Sequence, residues 1–303
     1  MGQTFYFDWE IRFMEWMQSF ENPFVSALWT GCTMLGETFV MVGVFGIFYW
    51  CLNKEVGKKI AVTLFWTLCT ATFLKSLILR RRPYMDHESL KCIRPAHSDG
   101  DIYSPAVQGF SCPSAHAALS ASFYGRLGFL ERKLARNALG VGIPLFVCLS
   151  RLYLGVHYPT DVMGGAVIGA LFVVLLNFTE KKTDKEYVLY GIPAAVFFIP
   201  VLVTGEKELC LVYFIMLGAF GGFMFEARFV KFENAGKVSH GIIRFVMGMA
   251  SALVPGLALR AVLNGLLPGR ADILANCAKG LAFGVSIFIA TGLTPVLFKK
   301  LKI

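Results

Sequence analysis

Nine apolar runs, each close to the roughly 20 residues that an α-helix needs to cross the hydrocarbon of a bilayer, constrain this chain more than any other feature. They lie near residues 24–50, 60–79, 114–130, 137–154, 160–178, 187–204, 209–225, 241–263 and 276–298. A segment inside lipid must satisfy its backbone N–H and C=O groups internally, so runs of this length admit helices. The balance of the 303 residues agrees, with 56% hydrophobic, only 16% charged and a mean hydropathy of +0.60. The expected fold is all-α, a multi-pass membrane helical bundle of about nine transmembrane helices. Ahead of the first run, Phe5 to Phe20 mix aromatics and Met with Asp8, Glu10, Arg12 and Glu15, which predicts an amphipathic helix at the membrane surface. The N-terminus shows no basic region followed by a short apolar core, so no cleavable signal peptide is expected.

Charge sets the topology. The net charge is +9, yet its distribution points to a bilayer and not to nucleic acid. The alternate loops 53–59, 126–136, 179–186 and 226–240, with the tail, hold 16 basic residues. The opposite loops, apart from the 75–94 region and Arg151, hold only Arg12, Lys207 and Arg270. The positive-inside rule therefore predicts an external N-terminus, a cytoplasmic C-terminus, and an external position for the 80–112 loop and the 154–159 joint. Lys75, Arg80, Arg81, Arg82, Lys91, Arg94 and Arg151 then collect on the side where basic residues should be scarce. They are either head-group anchors, the reading that suits Arg80 and Arg81 at least as well, or a ring around a polyanion.

Three short patterns on that side carry chemistry. Lys75 stands seven residues before Arg82-Pro83, Pro113-Ser114-Ala115-His116 opens an apolar run, and Ser150-Arg151 precedes His157 and Asp161 in the joint between two others. If Pro159 opens a helix, His157 and Asp161, four apart, share a face. The carboxylate could then hold one imidazole nitrogen and leave the other as nucleophile. In order and spacing the three patterns resemble the signature of the type 2 phosphatidic acid phosphatase superfamily: K-x6-RP, PSGH and SR-x5-H-x3-D. Ala115 stands where that pattern usually has Gly. The resemblance covers roughly residues 60–178 and leaves the last 125 outside it. It suggests a PAP2-type core at 59–178, preceded by an N-terminal helix and first span at 1–58 and followed by transmembrane helices of unassigned role at 179–303. The span count with an external N-terminus also looks like glucose-6-phosphatase or the sphingosine-phosphate phosphatases.

The residue chemistry agrees with the roles that the resemblance implies. Hydrolysis of a phosphate monoester needs a nucleophile, cations for the equatorial oxygens and a proton for the leaving oxygen. His157 is the candidate nucleophile, oriented by Asp161, through a phosphohistidine. His116 is the candidate general acid and then base. Lys75, Arg82 and Arg151 would hold the phosphoryl oxygens, with the Ser114 hydroxyl and the Ala115 backbone N–H at a helix N-terminus. Lys and Arg supply the positive charge, so no metal and no other cofactor is expected. Asp161 could equally cap the helix it opens, and the two roles are compatible.

The remaining polar residues are less determined. Glu37 lies inside the first run toward its outer end, as part of the pocket or as a structural ion pair. Arg260, near the outer face, could meet a head group, whereas Arg244 near the inner face reads as an interfacial anchor. Tyr84, Met85 and Tyr103 could line an entrance. His87, His97 and His240 have no partner at a telling spacing. Six of the eight cysteines sit in or beside apolar runs as packing residues; Cys92 and Cys112 share the polar loop, where a disulfide is open.

The expected activity is hydrolysis of a lipid phosphate monoester or diphosphate (phosphatidic acid, a sphingoid-base phosphate or a polyprenyl diphosphate) at the extracytoplasmic face. The alternatives are a soluble sugar phosphate as substrate, or a lipid-phosphate binder or transporter without turnover. The expected setting is a bacterial cell membrane, with the endoplasmic reticulum as alternative; oligomeric state stays open.

Overall fold

The computed structural model describes residues 2–96, 100–130, 138–183, 185–270 and 272–303. His97, residues 131–137 of the expected basic loop and fourth apolar run, and Asp184 of the charged link lie outside the described residues. Among those described, the chain is helical and forms no strand. It divides into two compact units, Met1–Met41 with Thr70–Asn177 and Val42–Cys69 with Phe178–Ile303.

The helices that matter here are α1 (Asp8–Gln18), α2 (Pro23–Met34), α3 (Thr38–Gly46), α4 (Lys54–Ile78), α5 (Ala115–Leu130), α6 (Ile143–Tyr153) and α7 (Pro159–Lys182). After them come α8 (Ile192–Thr204), α9 (Lys207–Phe225), α10 (Val238–Leu266), α11 (Ile273–Phe288) and α12 (Thr294–Leu301). Among the described residues, six helical stretches are long and apolar enough to cross a membrane: Lys54–Ile78, Pro159–Lys182, Tyr187–Thr204, Lys207–Val230, Val238–Leu266 and Ile273–Leu301. The expected count of about nine is not confirmed among the described residues. The first run breaks between α2 and α3 with a bend of 46°, and counts as a seventh span only if the pair is taken as one. The 114–130 run yields 16 residues of helix, about 24 Å at 1.5 Å per residue, and Leu139–Tyr153 is shorter still.

In the first unit, α1 is shorter than the 5–20 stretch suggested, and it is more than a surface helix. Glu10, Met14, Met17 and Gln18 turn inward, while Trp9 and Trp16 remain exposed. The Gln18 side chain clamps two strands of backbone: its amide donates to the carbonyls of Lys91 and Tyr153 at 2.9 Å each, and its oxygen accepts the Lys91 N–H at 3.0 Å. The joint between α6 and α7 runs directly beneath. Gly155 there has φ +79°, and a Cβ would lie 2.1 Å from the Lys91 carbonyl, so both conformation and space require glycine. Helices α5 and α7 meet backbone to backbone. A Cβ on Gly165 would lie 2.4 Å from the Ser114 carbonyl, and one on Gly169 equally close to the Ala118 carbonyl. That small-xxx-small spacing brings the first turns of both helices together.

In the second unit, Glu226 is fully buried and bound to Lys54 at 2.7 Å and Lys58 at 3.4 Å. Tyr49 and Trp50 donate to the carbonyls of Thr291 and Ala290 at 2.7 and 3.1 Å. Arg244 is not an interfacial anchor. It is buried and donates to the backbone oxygens of Trp50, Glu233 and Ile303, the partners that a buried guanidinium needs.

Candidate active site

The site residues other than Arg260 all lie in the first unit. Each is delivered by the end of a helix. Pro159 occupies the first position of α7, where its missing N–H costs nothing, and Asp161 sits two residues on, in the first turn. The Asp161 Oδ2 accepts the Tyr158 N–H at 2.8 Å, a capping contact of the kind its position favours. On α5, the Ser114 hydroxyl lies 3.5 Å from the Ala117 N–H, and the Ser114 N–H donates to the Asp161 carbonyl at 3.0 Å. The second of these ties the starts of α5 and α7 together. It sets His116, in the first turn of α5, beside the joint that carries His157.

His157 is 2% exposed, with Nδ1 at 3.7 Å from Asp161 Oδ2. That is ion-pair range but beyond a hydrogen bond, so in this state the Asp161 carboxylate is engaged elsewhere. Its Oδ1 accepts Arg80 Nη1 at 2.7 Å. With Nδ1 toward Asp161, ring geometry leaves Nε2 on the other side. Burial first, then the charges of Arg82, Arg151, Lys75 and His116, hold the His157 imidazole well below the ordinary histidine range, so it is neutral at pH 7. The same relations place those four groups within electrostatic reach of one ring.

The three predicted phosphate cations differ in their surroundings. The Arg82 guanidinium is buried and donates to the carbonyls of Gln108, Gly109 and Val156, bracing the base of the polar loop against the joint. Arg151 Nη1 donates to Thr33 Oγ1 at 2.8 Å, and its Nε is buried with no hydrogen-bond partner. Lys75 lies in the last turn of α4. Glu37, at the break between α2 and α3, accepts Arg94 Nη2 at 2.9 Å and lies 4.0 Å from His116 Nε2. Glu37 is thus the ion-pair partner of Arg94 and a near neighbour of His116. Arg260 is exposed on α10 and belongs to the second unit, whereas the other candidates belong to the first.

Arg80 departs most from expectation. It is no head-group anchor: it is 1% exposed, bound to Asp161 and Glu10 at 2.7 and 2.8 Å, and stacked over the Tyr158 ring at 3.8 Å. A guanidinium survives such burial only because two carboxylates neutralise it. Arg81 pairs with Asp86 at 2.8 Å. Residue patterns place Glu10 only among the polar residues of a surface amphipathic helix, 70 residues from Arg80, with no link to the site, and give no signal for Thr33; Arg94 stands out only as one of several misplaced cations.

The disulfide left open in the polar loop is absent, since Cys92 and Cys112 are both free thiols. Cys112 lies beside Asp161, where burial and that carboxylate push the thiol up to about 12; burial likewise raises Cys92, beside Tyr84. Both stay protonated at neutral pH, so neither is a thiolate nucleophile. Tyr84 is buried and packs against the exposed Tyr103, with ring centroids 6.1 Å apart.

Residues 56–184 match the family model of the PAP2 superfamily, and residues 214–303 match the PAP2 superfamily phosphatase transmembrane extension. Phosphatidylglycerophosphatase B of Bacillus subtilis is 35% identical over 182 residues, 54% of this chain and 79% of that protein. The chain belongs to the PAP2 superfamily. It is a phosphoric ester hydrolase of that family and a multi-pass membrane protein. The PAP2 likeness also reaches further than the 60–178 core read from the three motifs, since most of residues 179–303 falls in the extension. Lipid A 4'-phosphatase of Bacteroides thetaiotaomicron is 39% identical over 144 residues, covering 45% of this chain and 58% of that one. A crystal structure of a transmembrane PAP2-type phosphatidylglycerolphosphate phosphatase from Bacillus subtilis superposes with a TM-score of 0.46 at 23% identity, covering 58% of this chain and 86% of that one.

Proposed function

We propose that this PAP2 phosphatase hydrolyses a lipid phosphate monoester or diphosphate through a phosphohistidine on His157, at the extracytoplasmic face. The observation that carries the reading is a set of buried nitrogens without hydrogen-bond partners: Arg94 Nη1, His116 Nε2 and Arg151 Nε. An unpaired buried donor costs about 1–3 kcal/mol. Three gathered around Glu37 and the joint fit a site that an anion completes.

In this reading His157 Nε2 attacks phosphorus in line with the leaving oxygen, and the phosphoryl group passes to the ring. His116 gives its proton to the departing alcohol or phosphate. Water then attacks the phosphohistidine, His116 takes its proton, and inorganic phosphate leaves. Asp161 stabilises the cationic phosphoimidazolium; Lys75, Arg82, Arg151, Ser114 and the Ala115 N–H hold the equatorial oxygens. The N–H groups of a helical first turn have no partner within the helix, so the start of α5 is suited to this.

Two features favour a lipid. The relatives named above carry lipid phosphates in their names. An apolar crevice of about 280 Å³ lies against α1, α6 and α7, lined by Trp9, Phe13, Cys148, Leu152, Val162 and Met163. Leu152 is the neighbour of Arg151 in the chain, so an acyl or prenyl tail could rest there while its phosphate reaches the joint.

The test is phosphate release by the purified protein in EDTA, from phosphatidic acid, a polyprenyl diphosphate, a sphingoid-base phosphate and a sugar phosphate, with His157→Ala alongside. Release from a lipid that survives the chelator and vanishes in the variant is expected. Preference for the sugar phosphate would move the substrate to water, and tight binding without release would make the protein a binder.

A further inference from the structure

We propose that Glu10 and Arg80 are positioning residues of the reaction, a buried relay that divides the charge of the Asp161 carboxylate between Arg80 and His157. The proposal rests on His157 as nucleophile, as argued above. Neither residue is a fixed position of the three motifs, and Glu10 lies outside the segment matched by the PAP2 family model.

The relay is continuous and almost dry. Glu10 and Asp161 are 0% exposed and Arg80 1%. Arg80 Nη2 donates to Glu10 Oε2 at 2.8 Å, and Nη1 donates to Asp161 Oδ1 and to Thr160 Oγ1, each at 2.7 Å. Thr160 donates through its hydroxyl and its N–H to Glu10 Oε1, at 2.6 and 3.0 Å. Arg80 Nε donates to the Phe5 carbonyl at 2.8 Å, and the guanidinium is sandwiched between the rings of Phe5 and Tyr158 at 4.6 and 3.8 Å. The relay is thus held from α1 and the residues just before it, from the chain after α4, and from the start of α7.

A fold could bury a single Arg–Asp pair for cohesion alone. The second carboxylate changes the electrostatics. Two acids on one guanidinium leave a net negative charge, and the Asp161 oxygen that bears on His157 is 3.7 Å from Nδ1. His157 is otherwise faced by cations or by a neutral ring: Lys75 from α4, Arg82 from the loop after it, His116 from α5 and Arg151 from α6. Asp161 is the acid set against them, and its partners decide how strongly it supports a positive ring. Phosphoryl transfer to Nε2 creates that positive ring, so the relay acts on the step that forms and breaks the phosphohistidine.

The sign differs for the two ends. Removing the Arg80 charge leaves Asp161 uncompensated, so the imidazolium gains stability and the acid limb of kcat/KM moves to higher pH. Removing the Glu10 charge leaves Arg80 undivided on Asp161, so the limb moves to lower pH and kcat falls, because the phosphoimidazolium loses support. A residue with a purely structural role would lower activity and thermal stability without moving the limb in either direction.

The experiment compares pH profiles of kcat and kcat/KM for wild type, Arg80→Gln, Arg80→Lys and Glu10→Gln on one short-chain lipid phosphate, so that ionisation of the substrate is common to all, with His157→Ala as reference. Arg80→Gln should raise the acid limb by about one unit and Glu10→Gln should lower it, while Arg80→Lys stays near wild type and KM changes little. Limbs unmoved in both Gln variants, or activity falling only in step with melting temperature, would overturn the proposal. Should Arg80→Gln fail to fold, Glu10→Gln keeps its size and one hydrogen-bonding oxygen and decides by itself. Activity persisting in His157→Ala would instead overturn the nucleophile assignment, an outcome distinct from the first.

Discussion

The two candidate histidines stand in different surroundings, and the proposed mechanism gives each a different task. His157 is enclosed, with a carboxylate near Nδ1 and the charges of Arg82, Arg151 and Lys75 within electrostatic reach, which suits the neutral nucleophile of the proposal. His116 is more open, and the carboxylate at 4.0 Å from its Nε2 is itself paired with Arg94. A group in that position that exchanges protons with the leaving oxygen should matter least when the leaving group needs no proton. His116→Ala is therefore expected to slow hydrolysis of a lipid phosphate by roughly 10²–10⁴-fold, yet to slow release of an activated phenol much less. Comparing kcat/KM for the two substrates in wild type and variant checks this; equal losses would take His116 out of the proton-transfer role.

Elements position these residues through their first turns. Helix α7 begins on proline, caps itself with Asp161, and lies against α5 through Gly165 and Gly169. Leucine at Gly169 would drive its Cβ to within 2.4 Å of the Ala118 carbonyl and force the helices apart. Overpacking of this kind costs about 1–3 kcal/mol or more. Gly169→Leu should lower the melting temperature in detergent and abolish activity. Gly164→Leu, where an added Cβ meets no atom within 4 Å, should leave both near wild type. If both variants behave alike, close approach of α5 and α7 is not what assembles the site. Helix α1 contributes at the same scale: its Glu10 supplies acceptor oxygens for the first turn of α7 and its Gln18 clamps the joint.

At the scale of the whole molecule, the distribution of Lys and Arg argues for a cytoplasmic C-terminus and an external site. In intact cells, or in spheroplasts where an outer membrane is present, a C-terminal epitope tag should become reachable by antibody only after permeabilisation. A protease site inserted near Tyr103, which is exposed in the polar loop, should be cut without it. Reversal of both results would place the chemistry on the cytoplasmic side and remove the extracytoplasmic part of the proposal.

Much of this was legible in the residues themselves. Apolar run length foretold the six long helices, because the bilayer imposes a length on any segment crossing it. Motif spacing identified the family, because the reaction needs particular groups at the ends of particular helices. What sequence could not supply was the pairing of charges across distance. Arg80 reads as one cation in a run of three, and only the approach of Glu10 from a helix 70 residues away turns it into a buried link to Asp161. Likewise the break between α2 and α3, the burial of Arg244 and the free thiols of Cys92 and Cys112 depend on which neighbours packing provides. Periodicity and spacing are local properties that a chain carries in its order. The partner of a buried charge is chosen by the fold, since the cost of burying it is met only where another part of the chain brings the opposite charge.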